Sequence, residues 1–301
     1  MSNGNEVGTD RRLTIGLITS QVHTYVFEDQ WRGVFEAAQM MDVNLIIYPG
    51  FALESPYGFE KQGNLLFETA LQPKFFDGLI IWTGALDWFV SDEELATFIQ
   101  RFAGIPMVSM ETALPGVPTI DVGNYQGMWD IVQHLLVVHG YQRIAFVAGP
   151  SGHGGVAQRY QAYCDCLAAH DISFDPELVV TGDFSSISGK TAVSTLIDKR
   201  HQEFDAVVAA NDKMALGVLD ELKSRGYIIP LHKAVAGFDD DQTTSPPLTT
   251  TYPPFIEMGR VALETCVSLL QDDAVPEFIE MPAELIIRRS CGCLPEELEE
   301  N

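Results

Sequence analysis

The chain has 301 residues and carries 18 Lys and Arg against 42 Asp and Glu, which gives a formal net charge of −24 at pH 7. This acidic excess argues against non-specific binding to DNA, RNA or an anionic membrane surface, because such binding depends on clustered basic side chains. With 46% hydrophobic and only 20% charged residues the chain is not disordered, and its length predicts two domains.

The sequence lacks the features of export or membrane insertion. Its first residues, MSNGNEVGTDRR, are polar, and no apolar run approaches the roughly 20 residues that a membrane span requires. We therefore expect a cytosolic protein with no membrane partner.

The five cysteines could form a disulfide framework or a metal site. An odd number in a large chain without an export signal favours reduced thiols. The C-x-C pairs Cys164/Cys166 and Cys291/Cys293 are closer than the C-x2–4-C spacing that is usual for zinc. The seven histidines are scattered along the chain. The sequence therefore predicts no metal site and no cofactor, with Cys266 as a further free thiol.

Short apolar runs rich in valine and isoleucine alternate with helical patterns along most of the chain. The runs are apolar on both faces, as parallel strands buried under helices are. They comprise residues 13–18, 43–48, 79–82, 106–110, 144–148, 178–180 and 206–210. This alternation predicts the α/β class, with doubly wound parallel sheets and right-handed crossovers.

The predicted helices each bury one apolar stripe. The stripe of the first helix consists of Trp31, Val34, Phe35, Ala38 and Met41. The helix after Asn124, a candidate N-cap, has a stripe made of Met128, Ile131, Val132 and Leu135. The helix after Asn211 has a stripe made of Ala215, Val218, Leu219 and Leu222.

The alternating pattern occurs twice, which predicts two lobes with a ligand cleft between them. The first set of strands and helices runs from Leu13 to about Val122, and the second from Asn124 to about Thr250. Ligands of open α/β sheets bind beyond the carboxyl ends of the strands. Residues that follow the strands are therefore the candidates for a site.

Polar residues at these positions suit a neutral polyol. Arg159 can donate to two neighbouring hydroxyl groups, Asp239 can accept from two, and Asn211 can do both. Singly, Arg159 can also be a surface ion pair and Asn211 a helix cap. The run Asp239–Asp241 favours a turn with a solvated acidic face over a cation site.

Aromatic residues also follow the strands. Trp82, Phe184, and Tyr25 or Phe27 can stack on the C–H faces of a sugar ring. Phe184 and Trp82 can equally be core residues. Their shared position with the polar groups favours a site that binds a small polar metabolite.

A glycine-rich loop supports an alternative in another functional class, a nucleotide-dependent enzyme. Gly152 to Ala157 fits G-x-G-x-x-A between a strand and a helix, where it could hold a pyrophosphate. The acidic residue at the end of the following strand, Asp183, lies further away than a ribose-binding carboxylate should, and no Walker loop is present. The sequence favours a loop beside a cleft over a nucleotide site.

Several segments together resemble the effector-binding core of the LacI/GalR transcriptional regulators, which is similar to periplasmic sugar-binding proteins. Three of them are AANDKMALG at 209–217, VAGFDD at 235–240 and PPLTTT at 246–251. The others are FDGLII at 76–81, HGYQRIA at 139–145 and RRSCGC at 288–293. The resemblance covers nearly the whole chain from Leu13 to Cys293.

The resemblance implies a type I periplasmic-binding-protein-like fold with two lobes joined by three crossings. The amino-terminal lobe would comprise residues 13–122 and 253–281, and the carboxy-terminal lobe residues 123–250 and 284–293. Residues 1–12 and 294–301 would be flexible tails. The crossings would fall near 122–124, 250–253 and 281–285.

The resemblance also assigns ligand-contacting residues by motif position. The main contacts would be Arg159, Asn211, Asp239 and the aromatic Phe184. The rim of the same cleft would hold Trp82, Glu111 and Val122.

The function implied is that of a sensor domain and not an enzyme, closing its lobes on a sugar-like ligand and forming a homodimer. Regulators of this type carry a helix-turn-helix segment of roughly 60 residues ahead of the core. Because the first core strand begins at Leu13, we expect this DNA-reading segment to be absent from the chain. A signalling module such as a kinase or cyclase could follow residues 294–300. A repressor core with its DNA-binding segment removed is the close alternative.

Overall fold

The computed structural model describes residues 11–23, 25–71, 75–240 and 246–293. Strands alternate with helices throughout these residues, which confirms the predicted α/β class. Most strands lie in two parallel sheets, and every residue of the central strands 78–82 and 206–209 is buried. Such burial on both faces is the pattern that identified these segments in the sequence.

Six of the described strands form the first sheet, and all of its pairings are parallel. Five of them come from the first part of the chain: β1 (Thr14–Thr19), β2 (Asn44–Pro49), β3 (Gly78–Trp82), β4 (Met107–Met110) and β5 (Thr119–Val122). The sixth, β11 (Phe278–Met281), pairs with β5 at the edge, and the spatial order is β11-β5-β4-β3-β1-β2. The helices between these strands are α1 (Tyr25–Met40), α2 (Gly58–Gly63), α3 (Leu65–Ala70), α4 (Thr83–Leu86) and α5 (Asp92–Gln100).

The second sheet is also parallel and has four strands among the described residues. They are β6 (Ile144–Ala148), β7 (Val179–Thr181), β8 (Ala206–Ala209) and β9 (Ala234–Ala236), in the spatial order β7-β6-β8-β9. Its helices are α6 (Asn124–Val137), α7 (Gly154–Ala169), α8 (Ser186–Ser194) and α9 (Asp212–Ser224). A π-helical turn, Thr195–Lys199, continues α8.

An antiparallel strand pair lies where the chain passes between the two sheets. It consists of β10 (Thr250–Tyr252) and β12 (Glu284–Ile286), with Thr251 opposite Leu285. Between them, α10 (Phe255–Leu270) packs against α1, and β11 joins the first sheet. The predicted lobe boundaries, 13–122 with 253–281 and 123–250 with 284–293, stay a prediction.

Two helix pairs approach each other through glycines. A Cβ added at Gly33 of α1 would overlap the backbone oxygen of Ile256 in α10. Conversely, a Cβ added at Gly259 of α10 would overlap the backbone oxygen of Gln30 in α1. In the second sheet's layer, a Cβ at Gly217 would overlap the backbone oxygen of Ser186. These backbones are closer than any side chain allows.

Two details of the helix predictions are wrong, the N-cap of α6 and the extent of the apolar stripe on α1. Asn124 is the first residue of α6 and Gly123 is its N-cap, because the Asn124 amide instead donates to the backbone oxygen of Val122 at 3.2 Å. Phe35 and Met41 are 41% and 39% exposed, so only part of the predicted α1 stripe faces the core. No helix among the described residues is both long and apolar enough to cross a membrane.

Candidate functional site

A cavity of about 400 Å³ lies between the carboxyl ends of the strands of the two sheets. Its lining comes from the residues that follow β1, β3 and β4 in the first sheet and β7, β8 and β9 in the second, together with α1, α7 and α10. This is the position at which open α/β folds bind ligands, and the volume is within the roughly 300–1,000 Å³ of small-molecule sites.

Six of the eight residues predicted for a ligand site line this cavity: Trp82, Glu111, Arg159, Phe184, Asn211 and Asp239. Val122 does not line the cavity, and the prediction for Tyr25 is not tested. Val122 ends β5 with 2% exposure and packs in the core. Tyr25 begins α1, but its side chain, like that of Phe27, lies outside the described residues.

Arg159 is the only arginine lining the cavity in the described part of the chain, and it is 7% exposed. Its Nε donates to Asn124 Oδ1 at 2.9 Å, and its Nη1 donates to the backbone oxygen of Ala210 at 2.5 Å. The guanidinium carbon lies 3.7 Å from the ring centroid of Phe238, so the planar group stacks on an aromatic face. Arg159 is therefore not the surface ion pair considered from the sequence.

Four carboxyl groups interact electrostatically with this guanidinium: those of Glu111, Asp121, Asp212 and Asp239. Burial lowers the pKa of Arg159, and the nearby negative charges oppose that effect. Burial raises the pKa of Glu111, and it raises the pKa of Asp121 to about 7. Part of this acidic set therefore holds protons near neutral pH and can donate as well as accept hydrogen bonds.

Aromatic rings form one wall of the cavity. Phe184 meets Trp88 edge to face with centroids 5.5 Å apart, and it meets the ring of His153 at 5.2 Å. Trp88 is fixed by a hydrogen bond of 2.8 Å from its Nε1 to the backbone oxygen of Gly84. Trp82, 2% exposed, ends β3 beside them. These apolar faces suit the C–H surface of a sugar or the plane of a base.

His153 is the principal site residue that the sequence analysis missed. It precedes α7, lines the cavity at 8% exposure, and its Nε2 lies 3.9 Å from Glu111 Oε2. Burial lowers the pKa of His153 to about 3, and the charge of Arg159 adds to that effect, so the ring is neutral. In the sequence, this histidine is the variable residue between Gly152 and Gly154 of the glycine-rich loop.

Several buried polar atoms close to the cavity make no hydrogen bond to another described residue. They are Ser20 Oγ, Gln30 Oε1, Asp87 Oδ1 and His153 Nδ1. Such groups are costly when unpaired, because they have lost their hydration without a replacement. Burial also raises the pKa of Asp87 to about 8. A polar ligand or ordered water would supply the missing partners.

Asn211 and the acidic run after β9 have structural roles too. Asn211 is the N-cap of α9, where its Oδ1 accepts from the Met214 amide at 3.0 Å, so the cap considered from the sequence is present. The predicted solvated acidic face is wrong for Asp240, which is buried and forms an ion pair of 2.5 Å with Arg288. Asp241 lies outside the described residues.

The glycine-rich loop contacts the opposite side of the cleft. A Cβ at Gly152 would lie 3.3 Å from the backbone oxygens of both Asp87 and Val90, which follow β3 in the first sheet. These two carbonyl oxygens face the loop, and their partial negative charge would repel a phosphate held by it. The loop is thus a contact between the two halves of the molecule and a poor cradle for a pyrophosphate.

Comparison with known proteins agrees with this architecture. The family model described as a periplasmic binding protein-like domain matches residues 132–291. The HTH-type transcriptional repressor CytR of Escherichia coli (strain K12) is 30% identical over 298 residues, which cover 97% of this chain and 83% of that protein. This chain belongs to the LacI/GalR family.

Solved structures of LacI/GalR regulators have the same fold. A complex of the transcriptional regulator CelR with cellobiose is 27% identical, with a TM-score of 0.79, and covers 93% of this chain and 85% of that chain. The transcription regulator CcpA of Lactococcus lactis is 24% identical, with a TM-score of 0.78, and covers 93% of this chain and 99% of that chain. The predicted type I periplasmic-binding-protein-like fold is confirmed.

Proposed function

We propose that this chain is a sensor core that binds a neutral, polyhydroxylated metabolite, a sugar or a nucleoside, in the cavity around Arg159. The observation that carries the proposal is one buried guanidinium surrounded by carboxyl groups beside an aromatic wall. Fork-like donation from arginine and acceptance by carboxylates match neighbouring hydroxyl groups, and the rings match the apolar face of a sugar.

The charge balance of the cavity favours a neutral ligand over an anionic one. A phosphate or carboxylate would gain Arg159 and Lys213 as cationic partners, but it would share the cavity with three carboxyl groups, those of Glu111, Asp183 and Asp239. Like charges in a buried site cost several kcal/mol, which is more than one additional charged hydrogen bond of roughly 1.5–3 kcal/mol returns. The cellobiose bound to the related regulator CelR is a neutral ligand of this kind.

A thermal-shift panel of matched pairs tests the class of ligand. The panel holds cellobiose, free hexoses and pentoses, and nucleosides, each with its phosphate ester, together with NAD and ATP. We expect at least one neutral compound to raise the Tm by about 5 °C or more at roughly 100 times its Kd, and its ester to have little effect. Stabilisation by the esters or by NAD or ATP alone would contradict the proposal and favour the nucleotide alternative.

We further propose that the two lobes close on the ligand and that the contact of Gly152 with the 87–90 segment belongs to the closed form. Gly152→Leu places a branched side chain between backbone oxygens that are 3.3 Å from the Cβ position. Because this overlap exists only when the lobes are closed, we expect affinity to fall by about 10-fold or more without loss of folding.

Gly58→Leu is the matched control for this variant. Gly58 lies in α2, and an added Cβ there meets no atom within 4 Å. Titration calorimetry should show wild-type affinity for Gly58→Leu and weakened affinity for Gly152→Leu. Equal affinities in both variants would mean that binding does not require this contact.

The homodimer and any output module stay predictions. Ligand-dependent closure would change the surface that each lobe offers to a second subunit, and that change would be the signal. The relatives are transcriptional regulators, and a regulatory role without enzyme activity is the function that we propose for this chain.

A further inference from the structure

Four potential metal ligands meet at the far end of α6, away from the residues that line the ligand cavity. His134 lies in the last turn of α6 and His139 follows the helix, while Cys291 and Cys293 come from the last described residues of the chain. One ligating atom from each lies within 4.8 Å of all the others. We propose that His134, His139, Cys291 and Cys293 bind a structural zinc ion.

Four of the six distances between these atoms are close to those of a tetrahedral site, and the other two are within 4.8 Å. The two histidine Nε2 atoms are 3.2 Å apart, His134 Nε2 is 3.4 Å from Cys291 Sγ, and Cys293 Sγ is 3.5 Å from both Nε2 atoms. Zn–S bonds of about 2.3 Å and Zn–N bonds of about 2.1 Å in a tetrahedron place two nitrogens roughly 3.4 Å apart and a nitrogen and a sulfur roughly 3.6 Å apart. A central ion therefore fits with only small movements of the side chains.

The charge and burial of the cluster also fit zinc. Cys291, Cys293 and His134 are 0%, 7% and 8% exposed. Zinc binding releases the two thiol protons to solvent, and two thiolates with Zn²⁺ and two neutral imidazoles give a site with no net charge. A neutral site avoids the cost of leaving a charge buried. The set of two sulfurs and two nitrogens selects zinc over magnesium or calcium, which prefer oxygen.

The local backbone arranges the ligands for this role. His134 and His139 have four residues between them, within the H-x3–5-H spacing of structural zinc sites. Gly292, between the cysteines, has φ +120°, and a Cβ there would lie 3.1 Å from both His139 Nδ1 and the Tyr141 hydroxyl. Only glycine adopts this conformation easily. The backbone turn at Gly292 places the sulfurs of Cys291 and Cys293 on the same side, despite the single residue between them.

Neighbouring contacts hold the ligands in place. The ring of Tyr141 stacks on that of His139 with centroids 5.4 Å apart, and its hydroxyl donates to the backbone oxygen of Cys291 at 2.9 Å. Ser290 Oγ donates to the backbone oxygen of Val235 in β9 at 2.6 Å. Zinc would therefore fix residues 289–293 to α6 and the second sheet. All four ligands come from the protein, which is typical of a structural and not a catalytic site.

Metal analysis of the untagged full chain, purified under reducing conditions without chelators, tests this proposal. We expect about one zinc per chain, visible in native mass spectra as the mass of zinc less two protons. Cobalt substitution should give the visible d–d bands of tetrahedral coordination and a thiolate-to-cobalt charge-transfer band. Removal of zinc by a strong chelator should lower the Tm by about 5–10 °C, reversibly on adding zinc back.

The matched variants compare the two C-x-C pairs of the chain. Cys291→Ala/Cys293→Ala should lose the zinc, whereas Cys164→Ala/Cys166→Ala, which changes the pair on α7, should keep it. If the first variant does not fold, the cobalt spectrum and native mass of the wild type decide the matter. A wild-type chain that takes up no zinc after reduction, that lacks the charge-transfer band, or that is isolated with a Cys291–Cys293 disulfide would overturn the proposal.

Discussion

Arg159→Ala is expected to weaken binding of the neutral ligand by about 2–5 kcal/mol, or roughly 30- to 5,000-fold in Kd. Arg159 donates to Asn124 and to the backbone of Ala210, and its removal leaves Glu111, Asp121 and Asp239 without their shared cation. The ligand hydroxyls would lose a donor and face unbalanced negative charge. Titration calorimetry with the best neutral compound measures the change.

Arg260→Ala is the control for this variant. Arg260 is partly exposed on α10, where it pairs with Glu257 and Glu264, and such surface pairs contribute roughly 0–1 kcal/mol to stability. Wild-type affinity is expected. Arg159→Lys keeps the positive charge but loses the two-pronged donor geometry of the guanidinium. Its affinity for the ligand should lie between those of Arg159→Ala and Arg260→Ala. If Arg159→Ala binds as tightly as Arg260→Ala, the ligand lies elsewhere.

Gly33→Ala is expected to lower the free energy of unfolding by about 2–3 kcal/mol. The added methyl group overlaps the backbone oxygen of Ile256, so α1 and α10 must separate. Alanine has a higher helix propensity than glycine by up to about 1 kcal/mol, so any loss of stability must come from packing. Denaturant unfolding measures it.

Gly58→Ala, in the open environment of α2, is the matched control and should show no loss of stability. A Gly33→Ala protein as stable as this control would mean that the two helices separate at little cost. Gly259, on the facing side of the same contact, should respond as Gly33 does, because a Cβ there overlaps the backbone of Gln30.

The sequence predicted most of the central strands, because their burial on both faces is visible as continuous apolar runs, but it missed β5, whose buried run is interrupted by Asp121. It missed β11, whose exposure alternates along Phe278–Met281 at the sheet edge and leaves no such run. It also missed β10 and β12, three residues each, which are strands only because they pair with one another.

Site residues were predicted to the extent that they follow strands. Glu111, Arg159 and Asp239 could be assigned by motif position, and the fold brings them to one cavity. His153 was missed because its role depends on burial against Phe184 and, across the cleft, against Glu111.

The histidine and cysteine cluster shows the same limit of sequence reasoning. His134 and Cys291 are separated by 157 residues in the chain, and no local spacing indicates that they meet. The C-x-C spacing alone argued against zinc. The fold places the turn at Gly292 beside the end of α6. The two cysteines therefore lie next to His134, which the C-x-C spacing does not indicate.

A crystal structure of the chain with the most stabilising neutral compound of the panel tests the central claim most directly. We predict the ligand in the cavity between the two sheets, with hydroxyl groups within hydrogen-bond distance of Arg159 and Asp239 and one face against Phe184. A ligand bound outside this cavity, or one whose phosphate contacts the loop at Gly152, would contradict the account.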